Sequence, residues 1–416
     1  MDTGNTAWVL ACSALVLFMT PGLAFFYGGM VRSKNMLGML MQNFFSMGLV
    51  SVLWVLVGFS LAFGTDVGGG LVGDLSLAGL KDVATEGFVV PGFDALTIPA
   101  LAFVAFQMMF AIITPALITG ATADRMKFAG WVAFLGAWVI LVYSPVAHWV
   151  FSPGGWLFEL GALDFAGGTV VHVNAGIAAL VLVIVLGKRK GWPKEAMPPH
   201  ALPWTLIGTG ILWFGWFGFN AGSALGANAQ AAGAFMATNT AAAAAMLSWL
   251  AVERMKTGKA TTLGGASGAV AGLVAITPCA GFVNPMASVA IGLIAGVVCF
   301  LAVQLKFKFG FDDSLDVIAV HLVGGITGSV LLGIFANEAF GGLLAGEGAG
   351  LLGKQFIAVG ATLAYSGVMS FILAKIIDKT IGLRVTDDEE ASGLDLSQHA
   401  ESAYAAGEFG SMGRVG

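Results

Sequence analysis

Two of the five histidines lie inside long apolar runs and could form a chemical pair. His172 and His321 are 149 residues apart, and each follows a valine and precedes a glycine by four residues. A neutral imidazole donates a hydrogen bond from one nitrogen and accepts one at the other, and burial disfavours its charged form. Neighbouring imidazoles could line a path for a small polar solute or pass a proton between rings. The alternative is two histidines that are satisfied separately.

A metal centre at these histidines would need at least a third ligand. Asp164 and Asp313 precede the two histidines by eight residues each, which is about 12 Å along a helix. They are therefore badly placed as ligands, and the three cysteines lie in apolar runs without metal-ligand spacing. We predict no metal, no cofactor and no enzymatic activity. An intramembrane metalloenzyme is the alternative from another functional class.

Aromatic side chains form the second candidate site. Phe103, Phe106 and Phe110 lie in the third apolar run, and residues 213–223 of the sixth run combine Trp, Phe and Gly with Ser223 at the end. An aromatic vestibule can hold a small cation by cation–π attraction of about 0.5–2 kcal/mol per ring. A narrower phenylalanine constriction would exclude water and ions. The alternative is that these rings only pack or face lipid.

The energies of these interactions limit the solute. Desolvating a bare cation costs roughly tens of kcal/mol in the idealised limit. A few aromatic contacts and one hydroxyl bond, each about 1 kcal/mol, cannot offset that cost. We therefore predict that a small weak acid binds as a cation and crosses the constriction only after losing its charge.

The amino-acid composition indicates that the apolar runs carrying these residues lie in a membrane. Of the 416 residues, 57% are hydrophobic and 10% are charged, and the mean hydropathy is +0.88. Soluble domains are about 45–50% apolar and about 25% charged. A cytosolic enzyme, a nucleic-acid-binding protein and a disordered protein are therefore excluded, and the net charge of -5 also disfavours a nucleic-acid partner.

About eleven apolar runs are long enough to cross a bilayer, which takes about 20 residues. We predict spans at residues 6–31, 38–63, 99–123, 129–150, 167–187, 204–224, 234–252, 263–283, 286–305, 315–335 and 355–377. Lysine and arginine cluster after the odd-numbered spans, whereas the even-numbered connections carry only Lys81 and Lys354. The basic connections are expected in the cytoplasm. The sequence thus predicts a multi-pass plasma (inner) membrane protein with its N-terminus outside, no removable signal peptide and a cytoplasmic C-terminus.

An internal repeat divides the spans. The offset of the histidines also relates Asp164 to Asp313, and an Ile-Thr-Pro triplet occurs at both 113–115 and 276–278. Five spans in each half place the halves in opposite orientations, as in many transporters. We predict a transmembrane domain at 1–380, with repeat one at about 6–187, repeat two at about 204–335 and helix eleven at about 355–377. Residues 381–416 form an acidic cytoplasmic tail, read as either a disordered segment or a docking element.

Several motifs together resemble the ammonium transporter (Amt/Mep/Rh) family, prokaryotic Amt type. The segments are PGLAFFYGG at 21–29, GALDFAGGTVVH at 161–172, GWFGFNAGS at 215–223, DDSLD at 312–316 and GLDLSQH at 393–399. The similarity runs from about residue 4 to residue 404 in the expected order. It implies an all-α fold of eleven transmembrane helices, with two inverted five-helix repeats and a final helix, assembled as a homotrimer.

The resemblance also implies a role for particular residues. The pore and proton-relay pair would be His172 and His321, the gate Phe110 and Phe219, the ammonium recruitment site Phe106, Phe151, Ser223 and Asp164, and the pore-lining tryptophan Trp216. Phe151 departs from the tryptophan of many bacterial members, and phenylalanine binds a cation more weakly. The expected substrate is ammonium or ammonia, and a PII-type signalling protein is a possible cytoplasmic partner. A passive ammonia gas channel and an ammonium sensor of the same fold are the remaining alternatives.

Overall fold

The computed structural model describes residues 1–404, and long helices dominate it. They are α1 Thr3–Met30, α2 Ser33–Phe63, α3 Ala100–Thr122, α4 Phe128–Leu160, α5 Gly168–Leu186, α6 Leu202–Gly222, α7 Ala229–Thr257, α8 Thr262–Ile276, α9 Pro285–Phe309, α10 Ile318–Phe335 and α11 Gly350–Thr380. The last turn of α4, Trp156–Leu160, follows a break at residues 152–155. These helices correspond one by one to the predicted spans.

Within the described residues, nine of these helices are long and apolar enough to cross a membrane. The other two are α6, with 21 residues, and α8, with only 15. The predicted eighth span, 263–283, is shorter than expected because the helix ends before Pro278, which lacks the backbone N–H needed to continue it. The all-α membrane fold is confirmed, and the count of eleven spans stays a prediction.

Side-chain caps begin several of the helices. The side chains of Asp2, Asn228, Thr261 and Asn284 each accept a hydrogen bond from the backbone N–H three residues later. Such caps satisfy donors that the first helical turn leaves unpaired. Local sequence therefore sets where α1, α7, α8 and α9 start.

Glycines allow the closest helix pairs to form. The most extensive contact joins α1 to α6, where a Cβ on Gly208 would overlap the backbone nitrogen of Phe26. Across the α5–α10 contact, a Cβ on Gly176 would overlap the backbone of Leu322. Small residues let helix backbones approach in a membrane. Helices at equivalent positions of the two predicted repeats, α1 with α6 and α5 with α10, thus lie side by side.

One end of the bundle is covered by short connecting elements. A two-residue hairpin, β1 Asp66–Val67 and β2 Val72–Gly73, pairs antiparallel with Asp66 opposite Gly73. Single turns of 3-10 helix occur at Ala78–Leu80, Glu338–Phe340 and Leu343–Ala345. We call this end, where α4 stops and α5 starts, the vestibule face, and the opposite end the tail face.

An ion network joins four connections at the tail face. The guanidinium of Arg189 donates to both carboxylate oxygens of Asp312 at 2.9 Å, and Asp124 accepts from Arg32 at 2.9 Å and from Arg189 at 3.3 Å. Burial alone would raise the pKa of Asp312, but the hydrogen bonds and charge of Arg189 outweigh it and hold the pKa below its ordinary value. The network therefore ties the two halves of the chain together.

The described part of the tail packs against the tail face. It contains α12 Asp387–Ser392 and α13 Leu394–His399, and α12 begins with a capping box between Thr386 and Glu389. The backbone N–H of Leu394 donates to Asn35 at 2.8 Å, and that of Gly38 donates to Asp395 at 2.8 Å. The interpretation of a solvated, disordered tail is therefore wrong up to residue 404, because these polar contacts and buried Leu394 hold the segment in place. Residues 405–416 lie outside the described residues.

Candidate functional site

The two predicted pore histidines lie in direct contact near the middle of the bundle. His172 belongs to a π-helical turn at Gly168–Val173 and His321 to another at Ile318–Val323. Their Nδ1 atoms are 3.2 Å apart, and their ring centroids are 5.3 Å apart with the planes inclined by 23°. A hydrogen bond between two Nδ1 atoms needs one donor and one acceptor. The interpretation of two separately satisfied histidines is therefore wrong.

Two aspartates start the helices that carry these histidines. Asp164 accepts from the backbone N–H groups of Gly167 at 2.7 Å, Gly168 at 2.6 Å and Thr169 at 2.8 Å. Asp313 accepts in the same way from Val317 at 3.1 Å and Ile318 at 2.7 Å. A carboxylate at a helix N-terminus satisfies unpaired donors and opposes the helix dipole. Each aspartate therefore positions its histidine through the backbone.

The histidine pair lines a narrow cavity that we call the lumen. Its volume open to a water-sized molecule is only about 10 Å³, and aliphatic side chains from α1, α3, α6 and α8 make up much of its wall. Trp216 stacks on His172 with centroids 5.6 Å apart, and its indole N–H donates to Thr277 at 2.9 Å. Nε2 of His172 is buried and has no hydrogen-bond partner among the described residues. It is therefore the ring atom left to meet a guest molecule.

Two phenylalanine rings close the lumen toward the vestibule face. The centroids of Phe110 and Phe219 are 4.3 Å apart with the planes inclined by 41°, and each side chain is 1% exposed. Phe219 lines the lumen, whereas Phe110 lines the recess above it. The two predicted gate residues are therefore in contact where the vestibule recess and the lumen meet.

The recess at the vestibule face, here called the vestibule, holds most of the predicted recruitment residues. Its volume is about 260 Å³, and Phe151, Ser223 and Asp164 are in its wall. The hydroxyl of Ser223 donates to the carbonyl of Phe219 at 2.9 Å. Its oxygen lone pairs therefore remain free to accept from an N–H donor.

Phe106 is the predicted recruitment residue that does not line the vestibule. Its ring centroid is 4.9 Å from that of Phe110 in an edge-to-face contact. Phe103, three residues earlier on α3 and equally buried, is the one in the vestibule wall. The spacing of phenylalanines on α3 did not reveal which ring faces the recess, because that depends on the helix's neighbours.

Two glutamines in the vestibule wall were missed by the sequence reasoning. Gln107 lies between the phenylalanines of α3, and Gln230 donates to the carbonyl of Gly281 at 3.2 Å. The signal of Gln107 was available, since an amide within an apolar run is costly unless it has a partner or a function, whereas Gln230 lies outside the predicted spans. With Ser223 and Asp164 they provide polar atoms in a wall made largely of aromatic side chains.

Comparison with known proteins identifies the family of this chain. The model of the Ammonium Transporter Family matches residues 7–404. This chain belongs to that family. An ammonium transporter of Mycobacterium tuberculosis is 53% identical to it over 433 aligned positions, which cover 97% of this chain and 90% of the relative. The resemblance seen in the motifs is confirmed.

Solved structures of ammonium transporter relatives share the fold. Mep2 of Candida albicans superposes with a TM-score of 0.87 at 35% identity, covering 94% of this chain and 88% of that one. A structure described as a sensor Amt protein also gives a TM-score of 0.87, at 32% identity and with 95% and 98% coverage. Family membership and the apolar helices make the chain a multi-pass membrane protein and support ammonium transport.

Proposed function

We propose that this ammonium transporter family member binds ammonium in the vestibule and removes its proton near the Phe110–Phe219 pair. Neutral ammonia then enters the lumen and passes the histidine pair, and the proton moves separately through the same two imidazoles. Desolvation sets this order of events. A cation entering the apolar lumen would face a cost that its few polar atoms cannot offset.

The observation that carries the proposal is the position of the histidine pair directly behind the two closed rings. His172 lies 6.2 Å from the ring of Phe219 on one side and 5.3 Å from the ring of His321 on the other. A solute leaving the gate therefore meets the unpaired Nε2 of His172 first. The Nδ1–Nδ1 contact supplies the route by which a proton could pass from ring to ring.

Ammonium-evoked current through proteoliposomes tests the relay. We expect His172→Leu and His321→Leu each to abolish at least about 90% of the current, because a proton transfer of this kind typically contributes 10²–10⁴-fold. His200→Gln is the matched control, since His200 lies outside the lumen and bonds to Val31 and Tyr404. Elution as a single species and unchanged tryptophan fluorescence would show that each variant is folded.

The same assay separates the alternatives. An unchanged, ammonium-selective current in both leucine variants would refute the relay. Ammonia uptake without any current in the wild type would instead favour the passive gas channel. Specific ammonium binding without flux would favour a sensor, the function named for one structural relative.

We further propose that three copies assemble as a homotrimer in the plasma membrane with the tail face in the cytoplasm, where a PII-type protein docks. The support is family membership and the folded tail. Light scattering of the detergent-solubilised protein should give the protein mass of three chains.

A pull-down with the cognate PII protein should lose most of its yield when residues 385–416 are removed, and equal recovery would contradict a role of the tail.

A further inference from the structure

Lysines and exposed aromatic rings form a patch at the tail face, between the ends of α5 and α9. We define this basic–aromatic patch as Lys188, Trp192, Phe307, Lys308 and Phe309. The rings of Trp192 and Phe307 stack with centroids 5.9 Å apart and planes inclined by 12°. The ammonium group of Lys188 lies 5.2 Å from the ring of Trp192, and that of Lys308 lies 5.6 Å from the ring of Phe309. Two separate connections are thus brought together.

The phenylalanines of the patch are open to their surroundings. Phe307 is 54% exposed and Phe309 is 67% exposed. Both follow directly from the membrane-crossing part of α9, in the short terminal helix Leu305–Phe309. Tryptophan side chains favour the boundary between lipid headgroups and acyl chains, and Trp192 stacks on Phe307 at this end of α9. The patch therefore sits where a lipid can cover it.

The charge of the patch is not neutralised within the described part of the chain. Neighbouring Lys306 is paired with Asp316 at 2.6 Å. By contrast, no carboxylate in residues 1–404 lies within ion-pairing distance of Lys188 or Lys308. Glu195 is the nearest acidic group on the same connection, and it folds back over Gly191. Two unpaired ammonium groups beside apolar rings are complementary to a ligand that has both a negative charge and an apolar part.

We propose that the basic–aromatic patch binds an anionic phospholipid from the leaflet at the tail face. The lysines pair with the phosphate of the headgroup, and the acyl chains lie against Phe307 and Phe309. A free phosphate would satisfy the lysines but leave both rings exposed. Juxtamembrane basic residues attract anionic lipid, and basic pockets between transmembrane helices bind lipid headgroups. The charge and the apolar rings together therefore favour a lipid over a soluble anion.

Native mass spectrometry of the full-length detergent-solubilised protein tests the proposal by counting bound phosphatidylglycerol. We expect the double variant Lys188→Gln, Lys308→Gln to weaken phosphatidylglycerol binding at least about tenfold, because each lysine near an anionic lipid contributes about a factor of five. The matched control is Lys256→Gln, Lys259→Gln, which removes two exposed lysines at the end of α7. It should change the affinity less than about twofold. Phosphatidylcholine, which carries no net charge, should bind the wild type only weakly.

Three results would overturn the proposal. The first is equal loss of phosphatidylglycerol in both double variants, which would show only a general charge effect. The second is full competition by glycerol phosphate, which would make the site one for a soluble phosphate. The third is a changed oligomeric state with unchanged lipid binding, which would assign the patch to contact with another copy of the chain. Ammonium transport can fail or persist independently of each result, because lipid counting does not measure flux.

Discussion

Phe151 lies in the vestibule, where we propose that ammonium binds. Its ring lines the recess together with Ser223, whose oxygen is free to accept a hydrogen bond. The proposed ammonium site thus combines ring faces with one or two polar atoms. Because the site is open to solvent, each ring contributes a small amount, and the identity of the ring affects the affinity directly.

We predict that Phe151→Trp lowers the half-saturating ammonium concentration by about two- to fivefold, because tryptophan is the stronger cation–π partner and an exposed contact is worth about 0.5–1 kcal/mol. The maximal current should change little, since the gate and the histidine pair are untouched. Concentration dependence of the current in proteoliposomes measures both quantities. Phe214→Trp is the control, because Phe214 is 56% exposed and is not in the vestibule wall. An equal shift in the control would contradict the role of Phe151.

At the scale of elements, close helix pairs hold the lumen together. The α1–α6 contact depends on glycines whose missing side chains leave room for the partner backbone. In a bilayer the lipid is as apolar as the side chains, so packing of this kind replaces the hydrophobic drive between helices. Residues of both helices line the lumen, including Leu23 of α1 and Leu212 of α6.

We predict that Gly208→Ala destabilises the protein by about 1–3 kcal/mol, which is typical of overpacking at a tight contact. The added Cβ would overlap the backbone of Phe26, which cannot move as a flexible side chain can. Gly210→Ala is the matched control in the same helix, because nothing lies within 4 Å of the Cβ built there. It should be neutral or slightly stabilising. Thermal unfolding followed by tryptophan fluorescence compares the two variants, and equal midpoints would contradict the packing argument.

At the scale of the whole molecule, charge differs between the two faces. The basic connections and the packed acidic tail lie at the tail face, where Arg189, Asp312 and Asp124 form a buried network. Such a distribution favours a cytoplasmic tail face by the positive-inside rule. The vestibule would then open to the outside.

Cysteine labelling in intact cells tests this orientation. Cys12, Cys279 and Cys299 are the only native cysteines and all are buried, so a membrane-impermeant maleimide should leave the parent chain unlabelled. We predict that Glu86→Cys at the vestibule face is labelled in intact cells. Lys259→Cys at the tail face should react only after the membrane is permeabilised. The reverse pattern would place the vestibule in the cytoplasm.

The sequence alone was sufficient to predict the membrane class and the approximate position of each helix, and it made the pairing of His172 with His321 a hypothesis. These features depend on local quantities, since about 20 apolar residues span a bilayer wherever they occur. The sequence separation between His172 and His321 equals that between Asp164 and Asp313. This shared separation was the one relation between distant residues that the sequence made visible, because it reveals an internal repeat.

Only the tertiary structure decided which side chains face the path and how the tail lies. Phe106 and Phe103 differ by less than one helical turn, yet one is packed behind the gate and the other lines the vestibule. The tail is acidic enough to read as solvated, but Asn35 and the backbone of Gly38 supply partners from the opposite end of the chain. Contacts between residues far apart in sequence set both outcomes, and composition and periodicity do not carry that information.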